Sequence, residues 1–466
     1  MNTHRFAIAI LAAGKGTRLK SKRPKVLHTV AGKPLLQHVI DAALQVVTPQ
    51  DVFVIVGHQA QAVEQAMAHT GVRFILQAEQ RGTGHALQCL APSIRDYADI
   101  LVLSGDVPLM TSETIAAVRD FHCEQKAAMT ILTARPANPF GYGRVLRVSP
   151  DGPDVEKIVE QKALTASQMH APEINSGIYA FRTAPLFSQI HKLTTANAHG
   201  EYYLTDLAGL LHHAGDRVVA LAVDDANQVL GANTIAEMMQ LDAAMRLTTA
   251  QRLMAQGVTI FRPETCVIDA DVSVGADTII EPFVQLLGKT RIGQDCRIRS
   301  YSVVQNSVLG ENVLVRNGCV LDQAVVGDGA LLGPYAHLRP ESRIGKAAHI
   351  GNFVETKSTT VGDGSKANHL SYLGNAEIGA GCNIGAGVIT CNYDGINKHS
   401  TKIADGVFVG SDSTLVAPVT LEKGAYVAAG SCITDNVPAD ALALGRARQI
   451  NKLEWARQRR DSSKNK

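Results

Sequence analysis

The sequence predicts an α/β domain, a linker helix and a parallel β-helix, in that order along 466 residues. Three observations support this fold class. Short apolar segments alternate with helix-like ones up to about residue 226, a segment without Gly or Pro follows, and a six-residue apolar period begins near residue 266. We expect domains at 1–226 and 258–440, with a helical linker over 227–257 and a basic tail over 441–466.

The first domain is predicted to be a Rossmann-like, mostly parallel sheet flanked by helices. Apolar runs that indicate buried strands occupy 6–11, 52–56, 100–103, 129–132 and 218–223, and helical segments such as 35–46 and 60–69 lie between them. Strands that alternate with helices favour parallel pairing, and ligands of such sheets bind beyond the carboxyl ends of the strands. The next segment, 234–256, is rich in Ala, Leu, Met and Gln and predicts one long helix ended by Gly257.

In the C-terminal half, one aliphatic residue recurs every six positions, a spacing that neither a helix nor an ordinary strand produces. The period predicts short strands joined by turns, with the aliphatic anchors stacked inward in a hexapeptide β-helix. Each rung contacts its neighbours and buries a continuous core. The first run of anchors is Ile268, Val274, Ile280, Leu286, Ile292, Ile298 and Val304, and the second is Leu309, Val315 and Leu321. The third run is Val326, Leu332, Leu338, Ile344 and Ile350, which Ile378 and Ile384 continue, and the last is Ile403, Val409, Leu415, Leu421, Val427 and Ile433.

The period is interrupted between Thr390 and Ile403 by the polar segment 391–402. Insertions in a solenoid become loops on one face, often the binding face, and a spare turn is the alternative. The tail is basic, and a solvated segment is favoured over a nucleic-acid site because its charges are few.

Charge and cysteine usage exclude several classes of protein. Lys plus Arg is 45 and Asp plus Glu is 43, a net charge of +2 that offers no field for nucleic acid or an anionic membrane. No apolar run approaches the roughly 20 residues of a membrane span, and the apolar start at 6–13 is interpreted as a buried strand rather than a signal peptide. The eight cysteines form no C-x-x-C pair and predict free thiols in a reducing, cytoplasmic compartment.

A glycine-rich loop follows the first predicted strand, where residues 11–18 read L-A-A-G-K-G-T-R. Small residues let backbone N–H groups approach phosphates. Lys15, Arg18 and the nearby Lys25 supply cations that stabilise charge on a leaving pyrophosphate. The loop therefore predicts a triphosphate site.

Two more segments with polar side chains follow predicted strands. Asp106 in Ser104-Gly105-Asp106 suits Mg²⁺, a hard cation that prefers oxygen ligands, although capping of the following helix is the alternative. Gln77 and the pair Gly82-Thr83 follow another strand and are placed to contact a base edge.

His369, in N-H-L-S-Y-L-G over 368–374, lies between two anchors of the β-helix. A histidine that points out of the solenoid is a candidate general base near neutral pH. A surface or structural role is the alternative for any one of the 16 histidines. Arg339 and Lys357 favour the catalytic interpretation, because both cations suit a sugar phosphate.

These motifs resemble the nucleotidyltransferases that make nucleotide sugars. With the β-helix included, nearly the whole chain resembles the bifunctional bacterial N-acetylglucosamine-1-phosphate uridyltransferases/glucosamine-1-phosphate acetyltransferases. The resemblance implies acetylation of glucosamine-1-phosphate by acetyl-CoA, then transfer of UMP from UTP to give UDP-N-acetylglucosamine and pyrophosphate for peptidoglycan and lipopolysaccharide synthesis. It also implies Mg²⁺, a left-handed β-helix and a homotrimer that holds acetyl-CoA between subunits.

For uridylyl transfer, the resemblance assigns Arg18 to the pyrophosphate charge, and Asp106 and Asn227 to Mg²⁺. Gln77, Gly82 and Thr83 would face uracil and ribose, and Gly141, Glu160 and Asn175 would hold the amino sugar. The remaining nucleotide contacts would be Leu11, Ala12, Ala13, Gly14, Lys25, Ser104 and Gly105. Ser104 departs from the pattern, since some members have Tyr before Gly-Asp.

For acetyl transfer, the resemblance implies that His369 deprotonates the 2-amino group of glucosamine-1-phosphate. Residues matching the sugar-phosphate contacts are Arg339, Lys357, Tyr372 and Asn383. Residues matching positions around acetyl-CoA are Ala386, Asn392, Tyr393, Ser411, Ala429 and Arg446. An acyl-enzyme on Cys382 or Cys391 is disfavoured, because neither has an evident activating partner.

Two other functions remain open at the level of sequence. In the first, the chain is a sugar-nucleotide pyrophosphorylase whose β-helix serves only assembly, and His369 with Arg339 and Lys357 argues against it. In the second, the chain is a non-catalytic regulatory subunit, and the intact 11–18 loop and Asp106 argue against that. We expect the two halves to work independently.

Overall fold

The computed structural model describes residues 5–149, 152–197 and 200–464, so positions 465 and 466 of the predicted tail lie outside the described residues. The chain divides into two compact units between Met245 and Arg246, inside the predicted linker. Within the described ranges, no helix combines the length and the apolar character needed to cross a membrane.

The N-terminal unit is built on a nine-stranded sheet in which seven strands form the main path. The strands of the unit are β1 (Phe6–Leu11), β2 (Thr29–Val30), β3 (Lys33–Pro34), β4 (Val52–Val56), β5 (Arg73–Leu76), β6 (Asp99–Ser104), β7 (Met129–Ala134), β8 (Arg144–Arg147), β9 (Val155–Val159), β10 (Ile174–Arg182) and β11 (Val218–Ala222). The order is β11-β7-β10-β6-β1-β4-β5, while β8 pairs with β9 and β10. Only β10 on this path runs antiparallel to its neighbours, so the mostly parallel prediction is confirmed.

Helices cover both faces of this sheet. They are α1 (Leu35–Leu44), α2 (Ala60–Met67), α3 (Thr83–Leu90), α4 (Ser112–Gln125), α5 (Thr183–Gln189) and α6 (Asp206–His213). Along β1, Ala7 and Ala9 join one buried cluster while Ile8 and Ile10 join the other. Burial on both faces explains why the strands read as continuous apolar runs.

The long predicted helix is present as α7 (Ile235–Ala255), one residue shorter at each end than the predicted 234–256. Gly257 follows it with a φ of +93°, a left-handed conformation that glycine adopts at low cost. The prediction of both the helix and its terminator is therefore confirmed.

The C-terminal unit is a solenoid of three parallel sheets, which we call S1, S2 and S3. S1 contains Thr259–Ile260, Ile279–Ile280, Arg297–Ile298, Leu314–Val315, Leu331–Leu332, His349–Asn352, Lys366–His369, Asn383–Ile384, Phe408–Val409, Tyr426–Val427 and Leu442–Ala443. S2 contains Val267–Ile268, Gln285–Leu287, Val303–Gln305, Val320–Asp322, His337–Leu338, Glu355–Lys357, Tyr372–Gly374, Ile389–Cys391, Thr414–Val416 and Cys432–Ile433. S3 contains Ser273–Val274, Arg291–Ile292, Val308–Leu309, Val325–Val326, Arg343–Ile344, Thr360–Val361, Ala376–Ile378, Thr401–Ile403 and Val419–Leu421.

In each coil the chain passes from S1 to S2 to S3 and back to S1. The turns between S1 and S2 therefore lie one above another along one edge of the solenoid, which we call the S1–S2 corner. The turns between S2 and S3 form a second edge, the S2–S3 corner. Every predicted anchor is buried, with at most 7% of its surface exposed. The hexapeptide prediction is therefore confirmed residue by residue. A basic helix, α8 (Trp455–Lys464), follows the last coil, and its side chains from Trp455 to Ser463 are exposed, as expected for a solvated tail.

Candidate active sites

A cavity of about 530 Å³ opens at the carboxyl ends of β1, β5 and β6. It brings together ten of the predicted nucleotide residues: Leu11, Ala12, Ala13, Gly14, Lys25, Gln77, Gly82, Thr83, Ser104 and Asp106. Gly105 adjoins it and donates its N–H to the carbonyl of Leu11 at 3.0 Å. The parallel register of β1 with β6 and β4 sets these strand ends side by side.

The two glycines of the glycine-rich loop differ in the space around them: Gly16 is closely packed, whereas Gly14 faces open space. Gly16 has a φ of +61°, and a methyl group there would lie 2.6 Å from Cβ of Lys25. A methyl group at Gly14 would meet no heavy atom within 4 Å. The backbone of Gly14 therefore borders open space inside the cavity, as a phosphate-binding loop requires.

The cations of this site converge on two acceptors. Lys25 forms an ion pair with Asp106, and its Nζ also donates to Oδ1 of Asn233 at 3.1 Å. A guanidinium nitrogen of Arg18 donates to the same oxygen at 2.7 Å. Asn233, which the sequence analysis missed, therefore holds both cations in place. Its own backbone N–H donates to Glu237 at 2.7 Å.

Asp106 does not cap the helix that follows it, because Thr111 accepts the N–H of Thr114 at the start of α4. Asn227 sits in a short helix and directs its amide N–H to Asp225 at 2.9 Å. No hydrogen bond joins Asn227 to Asp106 in the described part of the chain, and no group of three or more His, Cys, Asp or Glu side chains there could hold a metal ion. A single carboxylate and an amide oxygen still suit Mg²⁺, which usually takes few protein ligands together with substrate phosphates.

Just after β5, Gln77 is 3% exposed, and its amide nitrogen donates to the carbonyl of Gly82 at 3.0 Å. Gly82 has a φ of +105° and lies against the backbone of Tyr202. The hydroxyl of Thr83 accepts the N–H of Leu204 at 3.1 Å. Gly82 and Thr83 therefore also fix the 202–204 segment to the start of α3.

The predicted sugar residues form a separate group near the cavity. Asn175 donates to the hydroxyl of Tyr179 at 2.8 Å, and Glu160 accepts from the hydroxyl of Thr205 at 3.3 Å. The N–H of Gly141 donates to the side chain of Gln161 at 3.1 Å. Glu160, Asn175 and Gly141 thus lie on β8–β10 and their loops, and none of them lines the 530 Å³ cavity.

On the solenoid, three cations gather at the S2–S3 corner. Arg339 follows an S2 strand and bonds Glu355 at 2.8 Å, which raises the pKa of its guanidinium. Lys357 ends the next S2 strand, and the adjacent Lys398 ammonium lowers the pKa of Lys357. Lys398 belongs to the predicted insertion and was missed as a site residue. Such a cluster of like charges is suited to binding a phosphate.

Gly374 lies beside these cations, because it pairs with Lys357 in sheet S2. A methyl group at Gly374 would lie 2.5 Å from the phenol oxygen of Tyr372 and 2.8 Å from the amide nitrogen of Asn392. Asn392 is in turn 8% exposed and donates to Asn375 at 2.6 Å. The structure thus brings Tyr372, Lys357 and Asn392 together.

The insertion forms a compact loop. Tyr393 pairs with Lys398 as an antiparallel bridge, and the Asp394 carboxylate accepts the N–H groups of Ile396 and Asn397 at 2.7 and 2.6 Å. His399 bonds the other oxygen of Asp394 at 2.7 Å. These bonds lower the pKa of Asp394 to about 2, the Asn397 N–H contributing most.

His369 is exposed at the end of an S1 strand, on the S1–S2 corner. Its carbonyl accepts the N–H of Gly387 at 3.2 Å. Three of the predicted acetyl-CoA positions, Ala386, Ser411 and Ala429, follow the next three S1 strands on the same corner, and Arg446 follows the last S1 strand. These residues therefore form a ladder along the S1–S2 corner that continues from His369 toward the C-terminal coils.

Asn383 lies elsewhere: it begins an S1 strand, where it pairs with Lys366 and Phe408. Within one chain, the predicted sugar-phosphate set is therefore split between S2 and S1. Burial raises the pKa of the Cys382 and Cys391 thiols, which disfavours a thiolate nucleophile. All eight cysteines are free, as predicted.

Comparisons with known proteins agree with both units. A family model described as a MobA-like NTP transferase domain matches residues 8–170, and one described as bacterial transferase hexapeptide (six repeats) matches residues 271–306. The chain is 61% identical over 468 residues to the Bifunctional protein GlmU of Koribacter versatilis (strain Ellin345), with 100% of both chains covered. It is 49% identical to that of Solibacter usitatus (strain Ellin6076), with 98% of each chain covered, and 44% identical to that of Streptococcus agalactiae serotype V, with 96% of each covered.

Proposed function

The chain belongs to the GlmU family of bifunctional enzymes, and on that premise we propose which of its residues carry each reaction. It combines a nucleotidyltransferase unit with a left-handed hexapeptide β-helix that acts as an acetyltransferase. It acetylates glucosamine-1-phosphate with acetyl-CoA and then transfers UMP from UTP to N-acetylglucosamine-1-phosphate. The products are UDP-N-acetylglucosamine and pyrophosphate. The UDP-N-acetylglucosamine serves the synthesis of peptidoglycan and lipopolysaccharide precursors.

The 530 Å³ cavity is the observation that supports placing uridylyl transfer in the N-terminal unit. A phosphate oxygen of N-acetylglucosamine-1-phosphate attacks the α-phosphorus of UTP in line, and the bond to pyrophosphate breaks. Because a phosphate oxygen is already nucleophilic, positioning and charge neutralisation carry the catalysis. The Gly14 backbone, Lys25 and Arg18 would hold the triphosphate and neutralise the leaving pyrophosphate.

Asp106 and Asn227 are the proposed ligands of Mg²⁺. When bound, the ion would neutralise charge on the phosphates. In the structure, Lys25 pairs with one carboxylate oxygen of Asp106, which leaves the other oxygen available to a metal ion. Gln77, Gly82 and Thr83 would hold the uridine, with Ser104 and Gly105 beside it, while Gly141, Glu160 and Asn175 would hold the sugar.

Acetyl transfer is proposed at the solenoid surface between His369 and the cation cluster. Arg339, Lys357 and Lys398 would bind the sugar phosphate, and Tyr372 would contact the sugar beside it. His369 would take a proton from the 2-amino group as that nitrogen attacks the thioester carbon, and the CoA thiolate would leave. Asn392, Tyr393 and the ladder of Ala386, Ser411, Ala429 and Arg446 would hold acetyl-CoA.

A homotrimer is proposed for two reasons. Asn383 begins its S1 strand and pairs with Lys366, at the opposite end of the strand from His369 and the S1–S2 corner, so a second copy would be needed to bring an Asn383 to the site. An exposed apolar ladder also runs along the S1–S2 corner, where the rings of Phe283 and Tyr301 stack at 5.3 Å and those of Tyr335 and Phe353 at 5.4 Å. Exposed apolar patches of this kind mark interaction sites. A monomer by light scattering with full acetyl transfer would contradict the proposal.

Reciprocal loss of the two activities tests the assignment. Asp106→Ala should abolish UDP-N-acetylglucosamine formation and leave acetyl transfer intact. His369→Ala should abolish acetyl transfer and leave uridylylation of supplied N-acetylglucosamine-1-phosphate intact. Loss of both activities in either variant, in a folded protein, would contradict separate sites. The proposed location of the enzyme is the cytoplasm, where the substrates of both reactions would be available.

A further inference from the structure

The amide of Gln77 is fixed in one orientation by its neighbours. Its terminal nitrogen lies 3.0 Å from the carbonyl oxygen of Gly82 and 3.1 Å from Nδ1 of His85. A carbonyl oxygen can only accept, so the amide atom facing Gly82 must be the NH₂ group. The same NH₂ group then donates its second hydrogen to His85.

This donation sets the state of the His85 ring. Nδ1 accepts a hydrogen bond only when it carries no proton, so His85 is neutral with its proton on Nε2. Nε2 lies 3.8 Å from Sγ of Cys89, a weak acceptor one helical turn further along α3. Burial raises the pKa of that thiol, which keeps it uncharged. The ring also packs beside Tyr202, with the ring centroids 6.4 Å apart.

The backbone of Gln77 is fixed as well. Its N–H donates to the carbonyl of Val56 at 2.8 Å, and its carbonyl accepts from the side chain of Gln80 at 3.0 Å. Gln77 lines the cavity, and both hydrogen bonds from its side chain to the described residues use the NH₂ group, which leaves Oε1 as the amide atom available to a ligand. The side chain therefore offers an acceptor, and not a donor, to a base in the cavity.

An acceptor at this place distinguishes the two pyrimidines. N3 of uracil carries a hydrogen and donates, whereas N3 of cytosine is an acceptor and would face Oε1 without a hydrogen bond. This inference rests on the proposed UTP site. We propose that His85 is a positioning residue that contributes to nucleobase selectivity, because its Nδ1 and the carbonyl of Gly82 together hold the Gln77 amide with its oxygen toward the N3–H of uracil. His85 itself does not contact the nucleotide in this arrangement.

Two variants of the full-length protein separate hydrogen bonding from packing. His85→Phe keeps a ring beside Tyr202 but removes the acceptor, whereas His85→Asn keeps an acceptor oxygen near the position of Nδ1. For each variant, kcat and KM are measured with UTP and with CTP, using N-acetylglucosamine-1-phosphate as the second substrate. Acetyl transfer and a thermal melt on the same preparation report folding.

We expect His85→Phe to lower the UTP-to-CTP ratio of kcat/KM about fivefold, since one neutral hydrogen bond corresponds to about that factor. The loss should lie in KM for UTP, with KM for N-acetylglucosamine-1-phosphate unchanged. His85→Asn should keep the wild-type ratio. An unchanged ratio in His85→Phe, or an equal loss in both variants, would overturn the inference.

A measurement on the wild type does not depend on how the variants fold. The ¹⁵N chemical shifts of the His85 ring should show a neutral imidazole with a bare Nδ1, and a protonated Nδ1 would overturn the inference. Turnover of UTP by the wild type tests the proposed site separately. If the wild type uses UTP while His85→Phe keeps its ratio, only the role of His85 fails; if the wild type uses no UTP, the proposed function fails with it.

Discussion

Replacement of Gly82 by alanine should damage uridylyl transfer while leaving acetyl transfer untouched. Gly82 has a φ of +105°, and a methyl group there would lie 2.6 Å from the carbonyl oxygen of Tyr202 and 2.9 Å from its nitrogen. Both atoms are backbone and cannot rotate away. They are also tied by hydrogen bonds, because Tyr202 accepts from Gly84 at 2.8 Å and donates to Arg81 at 2.9 Å.

The size of the effect follows from these contacts. A side chain forced into this backbone region costs about 1–3 kcal/mol, and displacement of Tyr202 weakens hydrogen bonds of about 1 kcal/mol each. The free variant is expected to relieve the clash by displacing the start of α3, and UTP binding must then restore the original geometry; a cost of about 3 kcal/mol for this step corresponds to roughly a 100-fold rise in KM for UTP. The rise occurs because Gln77, Gly82 and Thr83 lose their common geometry.

The assay measures kcat and KM for UTP, together with acetyl transfer on the same preparation. Gly209→Ala is the matched control, because Gly209 lies within α6 and a methyl group there would meet nothing within 4 Å. That control should retain both activities and gain helix propensity. A Gly82→Ala protein with wild-type KM for UTP would refute the reasoning.

Three further predictions concern charged side chains. Asp106→Asn should keep the fold but abolish Mg²⁺-dependent UDP-sugar formation, and activity that survives at saturating Mg²⁺ would contradict its role. Lys398→Met should raise KM for glucosamine-1-phosphate and weaken the salt dependence of that KM, with kcat little changed; an unchanged KM would remove Lys398 from the phosphate site. The pKa of Asp394 is about 2 in the folded protein, below its usual value of about 3.9. The ionised carboxylate therefore stabilises the loop fully above about pH 4, and this stabilisation is lost as the pH falls through 2. Hydrogen exchange at the Ile396 and Asn397 amides measures this, and protection that does not change over that range would contradict it.

The solenoid could be predicted almost completely from the sequence because its determinants are local and repeat. Within a run, each anchor satisfies the same packing rule six residues after the last one, and anchors such as Leu321 and Val409 are fully buried. The strand–loop motif around Gly14 was equally accessible, since the strand, the glycines and the cations adjoin in sequence.

Contacts between distant segments could not be predicted in this way. Asn233 is 208 residues from Lys25, and nothing in the local pattern marks it as the acceptor that holds the cations. Lys398 was inside the predicted insertion, but only the compact loop around Asp394 brings it beside Lys357. Asn383 was grouped with Tyr372 by motif, whereas the coil of the chain places the two residues on different sheets.

The central claim is that one chain carries two consecutive reactions at separate sites. The direct measurement supplies the full-length protein with glucosamine-1-phosphate and acetyl-CoA, and follows the products by mass spectrometry before and after addition of UTP and Mg²⁺. We predict N-acetylglucosamine-1-phosphate first and UDP-N-acetylglucosamine only after the addition. A first step without product, while added N-acetylglucosamine-1-phosphate is still uridylylated, would contradict the claim and leave the β-helix as an assembly module.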